Sequence, residues 1–208
     1  RADMNEAYPP VLDSLAVVLR LENVDTDVIT PIGRVLEGPQ AIIDYAFEPL
    51  RFADDGSRRA DDPFADPDRQ NAQILIAGRN FGCGSSRETA AQAIRGMGFR
   101  CVIAPSFGDI FYSNCLKNGV LAIAIGSREV ERIMASADAL SRIVVRLPEQ
   151  RIELDGQVAQ FEIDPLSKRM LLGGIDEIGL LQGYAEAKAD FDRTDAAARP
   201  WVRARRRA

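Results

Sequence analysis

Between Ala72 and Ala137 short apolar runs alternate with helix-like stretches: strand Gln73–Ala77, helix Ser86–Gly96, strand Arg100–Ala104, helix Phe107–Asn118, strand Val120–Ile125, helix Arg128–Ala137. Strands joined through helices line up in parallel, so this stretch predicts βα units and a largely parallel layer. The rest of the chain attaches to that layer. Val11–Leu21 reads as one or two short strands, Gly38–Tyr45 as a short helix, and Arg51–Gln70, rich in Asp, Arg and Pro, as an exposed loop of about twenty residues. After the alternation, Ser141–Leu147 alternates apolar and polar residues, and Asp155-Gly156 between two such runs is a strong hairpin signal. Pro165–Leu172 suggests a short helix stopped by Gly173 and Gly174, and Glu177–Phe191 a final helix. The expectation is one α/β domain over residues 11–192, its parallel layer carrying an added hairpin and a C-terminal helix, with an extension at 1–10 and a basic tail at 193–208.

Composition narrows the chemistry. The 208 residues contain no histidine, which excludes Ser-His-Asp and Cys-His mechanisms, histidine-ligated metals and the usual near-neutral proton shuttle. Acid–base work falls to carboxylates, hydroxyls, Lys, Tyr or a group brought by a partner. Cys83, Cys101 and Cys115 cannot all pair and none is spaced as CxxC, so neither a disulfide framework nor an iron–sulfur ligand set is signalled, and a reducing cytoplasm is the expected compartment. A net charge of −5 offers no general attraction for nucleic acid, although Arg203, Arg205, Arg206 and Arg207 make the end basic. No apolar stretch approaches a membrane span, and the first ten residues do not read as a targeting segment.

The chemistry concentrates at Asn80–Thr89, NFGCGSSRET, between a strand and a predicted helix start. A helix start leaves N–H groups unpartnered and carries partial positive charge. Gly82 and Gly84 allow close backbone approach, and Ser85, Ser86 and Arg87 add two hydroxyls and a planar donor fork. Two readings stand side by side: a pocket for a small anion, or a helix capped by Ser85 or Ser86 with Glu88 or Thr89 near the third position. Asp25-Thr26-Asp27 likewise reads either as two carboxylates pointing the same way along an extended segment or as a turn and cap before Pro31. Cys83 has no histidine to activate it and reads as small-residue filler. Positions 107, 110, 111 and 114 share one helical face, so their aromatic residues read as core.

Four segments in order, NVDTDVITP (23–31), NFGCGSSRE (80–88), GFRCVIAPSFGDIFYSNCLKNGVL (98–121) and IDPLSKRMLLGGIDEIGL (163–180), closely resemble the small subunit of 3-isopropylmalate dehydratase, and the pattern is similar to the C-terminal swivelling domain of aconitase. The resemblance spans about Leu15 to Asp190. It implies a swivelling β/β/α domain that is half of an enzyme. A large partner subunit holds a four-iron four-sulfur cluster, one iron of which acts as Lewis acid on a dicarboxylic hydroxy acid, and this chain binds no metal or cofactor itself. The implied reaction interconverts 2- and 3-isopropylmalate by dehydration and rehydration in leucine biosynthesis. By the same resemblance Ser85 is the base for the carbon-bound proton, Arg87 the clamp on a substrate carboxylate and Ser86 a further hydrogen-bonding group. Asp27 and Thr30 assist proton and water transfer, Arg34 is a second anion contact, and Val35–Leu50 is where the family varies to fit the substrate side chain. Thr89 departs from the family's usual histidine, a position expected about one turn into the helix. A small subunit for citramalate, methylmalate or homoaconitate chemistry, or a non-catalytic anion-binding module, are the alternatives.

Overall fold

The computed structural model describes residues 6–175, 179, 183, 185–199 and 201. The chain divides into two compact units, Arg1–Gly174 and Ile175–Ala208.

The first unit is built on two sheets. Strands β2 (Ala16–Leu19), β3 (Ile74–Ala77), β4 (Cys101–Ala104) and β5 (Leu121–Ala124) form a parallel sheet in that order, with Ile74 opposite Ala16 and Cys101, and Cys101 opposite Leu121. Strands β1 (Val11–Ser14), β6 (Ile143–Arg146), β7 (Arg151–Leu154) and β8 (Gln157–Gln160) form an antiparallel sheet, again in that order. The hairpin expected at Asp155-Gly156 is its β7–β8 edge. Both turn residues have positive φ, 48° and 74°, as a two-residue hairpin of right-handed twist requires. The added hairpin is thus enlarged to a full second sheet. The two apolar runs of Val11–Leu21 belong to different sheets, and Ser14 marks the crossing: its hydroxyl donates to the Leu15 carbonyl at 2.7 Å and accepts from Gln73 N–H at 2.8 Å.

Side-chain alternation explains the layers. Ile74, Ile76, Cys101, Ile103, Leu121 and Ile123 point to one face of the parallel sheet and share a core with Leu12, Ile143, Val145, Ile152 and Leu154 of the antiparallel one. Helix α7 (Ser127–Asp138) adds Val130 and Ile133 to that core. The opposite face presents Leu75, Ala77, Val102, Ala104 and Ala122 to helices α5 (Thr89–Gly96) and α6 (Asp109–Lys117), through Ala90, Ile94, Phe111 and Cys115. The order antiparallel sheet, parallel sheet, helices is the β/β/α arrangement. Both faces of β3 and β4 are buried, which is why these strands are apolar throughout. Truncating Ile103, 0% exposed, to Ala is expected to cost about 2–5 kcal/mol.

Four short helices, α1 (Thr26–Ile29), α2 (Ile32–Glu37), α3 (Pro39–Asp44) and α4 (Glu48–Arg51), lie between β2 and β3, and α8 (Pro165–Gly173) follows β8. The long loop before β3 holds a 3₁₀ turn, Pro67–Arg69, and an antiparallel bridge between Phe52 and Arg58. On α6 the buried face is Phe111 and Cys115, and Ile110, expected to share the core face, is half exposed. In the second unit α9 (Ala185–Ala198) runs past the Phe191 end expected for the final helix. Arg203, Arg205, Arg206 and Arg207, and residues 176–178 and 180 of the fourth motif, lie outside the described residues. Among the described residues no helix is long and apolar enough to cross a membrane.

Candidate active site

The loops after β2, β3 and β4 are laced together at the carboxyl ends of the parallel strands, the edge where open α/β sheets bind ligands. Asn23 N–H donates to the Arg79 carbonyl at 2.8 Å, Gly82 N–H to Val24 at 2.7 Å and Thr26 N–H to Cys83 at 2.9 Å. On the far side Phe81 N–H donates to Ser106 and Gly108 N–H to Phe81, each at 3.0 Å. The Asn80–Glu88 loop is thereby gripped from both neighbours. Gly82 makes the grip possible: its φ is +71°, and a Cβ there would stand 2.2 Å from Cγ of Phe111.

This lacing carries Thr26 to Ser85, 59 positions away in sequence. Their hydroxyl oxygens are 2.8 Å apart, and Ser85 N–H donates to Thr26 Oγ1 at 3.2 Å. Thr26 is 1% exposed, Ser85 is half-buried and Ser86 is exposed. Arg87 turns back over the same point: Nη1 donates to Asp27 Oδ1 and, at 3.4 Å, to the Thr30 carbonyl. The Ser85–Arg87 stretch is therefore tied twice to the Thr26–Thr30 turn, Ser85 to Thr26 and Arg87 to Asp27 and the Thr30 carbonyl, through contacts that no local pattern announces. Sequence reasoning passed over Thr26; its only signal was its place between two aspartates.

The geometry corrects several expectations. Helix α5 begins at Thr89, with Glu88 as its cap residue and no side-chain cap bond. Ser85 and Ser86 are not caps, and Ser85 to Arg87 do not lie on the first helical turn. Gly84, at φ +95°, and the tie to Thr26 hold this stretch out of the helix. Thr89 opens the helix rather than standing a turn inside it, and its hydroxyl is buried without a partner. Asp25 and Asp27 do not form a matched pair on an extended segment, because Thr26–Ile29 is a helical turn. Asp25 caps that turn by accepting from Val28 N–H at 2.8 Å, and Asp27 is free to meet Arg87.

Two of the expected residues sit differently from that cluster. The Thr30 hydroxyl is buried and unpartnered, so Thr30 reaches Arg87 only through its carbonyl. Arg34 spends its fork on Glu48, with Nε to Oε2 at 2.9 Å, and on Glu37 at 2.8 Å, while stacking 3.8 Å above the Tyr45 ring. The Arg34 guanidinium holds the Glu48 carboxyl below the usual carboxylate range. Asn118, 0% exposed at the end of α6, donates to the Glu88 carboxylate at 3.0 Å and steadies the far end of the loop.

Cys83 lies in the loop with its carbonyl held by Thr26, while Cys101 and Cys115 are fully buried, where burial pushes both thiols up. Such protonated core thiols are not ligands. Among the described residues no group of three or more acidic, Cys or His side chains is arranged to hold a metal ion, so the donor set does not fit an iron–sulfur cluster.

Comparison with known proteins decides the family. The chain is 43% identical to the 3-isopropylmalate dehydratase small subunit of Roseobacter denitrificans, covering 92% of this chain and 97% of that one. It is 44% identical to that of Rhodospirillum centenum, covering 92% and 97%. The chain belongs to the 3-isopropylmalate dehydratase small-subunit family. Residues 57–128 of this family member match the Aconitase C-terminal domain, a segment containing the NFGCGSSRE loop, β3 and β4. Its fold is similar to the solved 3-isopropylmalate dehydratase of Methanocaldococcus jannaschii, with a TM-score of 0.64 at 23% identity over 86% of this chain and 98% of that one.

Proposed function

We propose that this chain is the small subunit of a cytoplasmic hydro-lyase of leucine biosynthesis, which loses water from 2-isopropylmalate and adds it back to give 3-isopropylmalate. The reading is carried by the two ties between the Ser85–Arg87 stretch and the Thr26–Asp27 turn, at the carboxyl edge of the parallel sheet in a member of this family. Ser85 Oγ takes the carbon-bound proton and returns it on rehydration. Arg87 presents a planar fork to a substrate carboxylate in place of Asp27, Ser86 supplies a further hydroxyl, and Asp27, once released, trades a proton with water. Thr30 orients Arg87 through its carbonyl. Arg34 shapes the α2–α4 region, and contacts substrate only where the carboxylate displaces Glu48. A large partner subunit closes over this face and holds the iron–sulfur cluster, which supplies Lewis-acid chemistry at the substrate hydroxyl. A site assembled from two subunits accounts for a cluster of catalytic side chains on an open loop.

The test is reconstitution. The chain mixed with a cluster-loaded large subunit is expected to turn over 3-isopropylmalate faster than citrate or citramalate, since pocket fit discriminates by roughly 1–3 kcal/mol per methylene. Equal or better turnover of citramalate moves the assignment to that acid. A chain that takes up iron and sulfide alone and dehydrates without a partner overturns the two-subunit reading.

A further inference from the structure

We propose that Thr26 is a positioning residue for the base, its hydroxyl proton directed at Ser85 Oγ so that the deprotonated form of this oxygen is stabilised. The inference rests on the reading of Ser85 as the base. Serine is a poor base in water, and the helix start cannot be what supports it, because Ser85 stands outside α5. Arg87 is turned toward Asp27. The group in contact with the Ser85 oxygen is the Thr26 hydroxyl, at 2.8 Å.

A hydroxyl has one proton and two acceptor lone pairs. One lone pair of Thr26 Oγ1 receives Ser85 N–H at 3.2 Å. While Ser85 keeps its own proton, either hydroxyl can donate to the other. Once that proton has left to solvent, only Thr26 can donate, and the contact becomes a charge-assisted O–H···O⁻ bond, about twice as strong as its neutral counterpart. Thr26 keeps its O–H bond throughout. The carbon-bound proton moves to Ser85 Oγ, the electron pair it leaves forms the double bond as the substrate hydroxyl departs as water with a proton delivered from solvent by way of Asp27, and the Thr26 bond relaxes to a neutral one. Its backbone fixes the donor in place: Thr26 N–H is bound to Cys83, the Thr26 carbonyl accepts from Thr30 N–H at 2.9 Å, and at 1% exposure water does not compete for the hydroxyl.

Two substitutions separate this role from loop architecture. In the assembled two-subunit enzyme, Thr26→Val keeps the shape without the hydroxyl and should lower kcat by at least about tenfold with KM within about threefold. The low-pH limb of its kcat profile should move up by about one unit, because a base with a raised pKa is protonated at higher pH. Thr26→Ser, which retains the donor, should recover turnover to within about threefold. An unmoved limb, or a Thr26→Ser enzyme as slow as Thr26→Val, overturns the proposal. A second readout needs no turnover: Ser85→Cys in a Cys83→Ala chain places an alkylatable thiol at the same point, with Cys101 and Cys115 buried at 0% exposure. Adding Thr26→Val should raise the pH midpoint of alkylation, and identical midpoints overturn the proposal. Should Ser85→Ala stay active, the base assignment fails whatever Thr26 does. Should Ser85→Ala be inactive while Thr26→Val is normal in rate and pH profile, the Thr26 inference alone fails.

Discussion

Arg87 and Asp27 form an ion pair across the mouth of the loop, with side chains 25% and 58% exposed. A pair this open to solvent adds little to stability, at most about 1 kcal/mol. Its consequence is geometric: Nη1 of Arg87 is turned to Asp27, the residue next to the partner of Ser85, by an acid that a better-placed carboxylate can displace.

Arg87→Lys keeps the charge and loses the bidentate geometry, so KM for substrate should rise by about tenfold or more. The melting temperature should stay within about 2 °C, in keeping with the small worth of the pair. Steady-state kinetics and thermal melts on the same preparation check this, and an unchanged KM removes Arg87 from substrate binding.

Ser85→Ala should lower turnover by about 10²–10⁴-fold, the range of a lost general base. The structural loss is one hydrogen bond, about 1 kcal/mol, because Ser85 caps no helix. Retention of more than about a tenth of normal turnover, a barrier change near 1.4 kcal/mol, would leave Asp27 as the next candidate for the proton acceptor.

Gly82→Ala should damage both fold and site. The residue sits at φ +71° with Phe111 Cγ 2.2 Å from a built Cβ, and Phe111 is 1% exposed and cannot swing away. A cost of about 2–4 kcal/mol is expected, lowering the melting temperature by roughly 5–12 °C. A melt indistinguishable from the parent would show that the loop relaxes freely, and would weaken the view that it is rigidly presented.

The Arg34–Glu48 pair sets an acid dependence. The folded carboxyl of Glu48 titrates below its ordinary value, chiefly through the hydrogen bonds from Arg34. Its stabilisation is therefore complete above the unfolded value near about 4.3 and is lost as the pH falls through the folded value. Between about pH 5 and pH 3 the parent should lose melting temperature more steeply than Glu48→Gln, which has no such proton to bind. Parallel curves for the two would refute the linkage.

Much of the architecture was readable from local pattern. The strands from Ile74 to Ala124 and their helices follow from apolar runs and breakers, and the β7–β8 turn from Asp155-Gly156, because each is decided by neighbours along the chain. The four ordered motifs carried the family. Local pattern failed where a distant contact overrode it. Ser85 and Ser86 have good capping chemistry, yet α5 starts at Thr89 because the tie from Thr26 and the left-handed Gly84 hold the preceding residues out of the helix.

The sequence by itself determined the alternation of strands and helices from Ile74 to Asp138, that this chain supplies no histidine, and that Ser85, Arg87 and Asp27 carry the hydroxyl, fork and carboxylate proposed for the site. Only the tertiary structure decided that Thr26 is the partner of Ser85, that Asp25 caps while Asp27 meets Arg87, and that Arg34 is engaged by Glu48. The reason is physical. A side chain's own propensities act over a few residues, whereas its hydrogen-bond partner here is set by the parallel register of β2, β3 and β4, which brings residues 59 positions apart to within 2.8 Å.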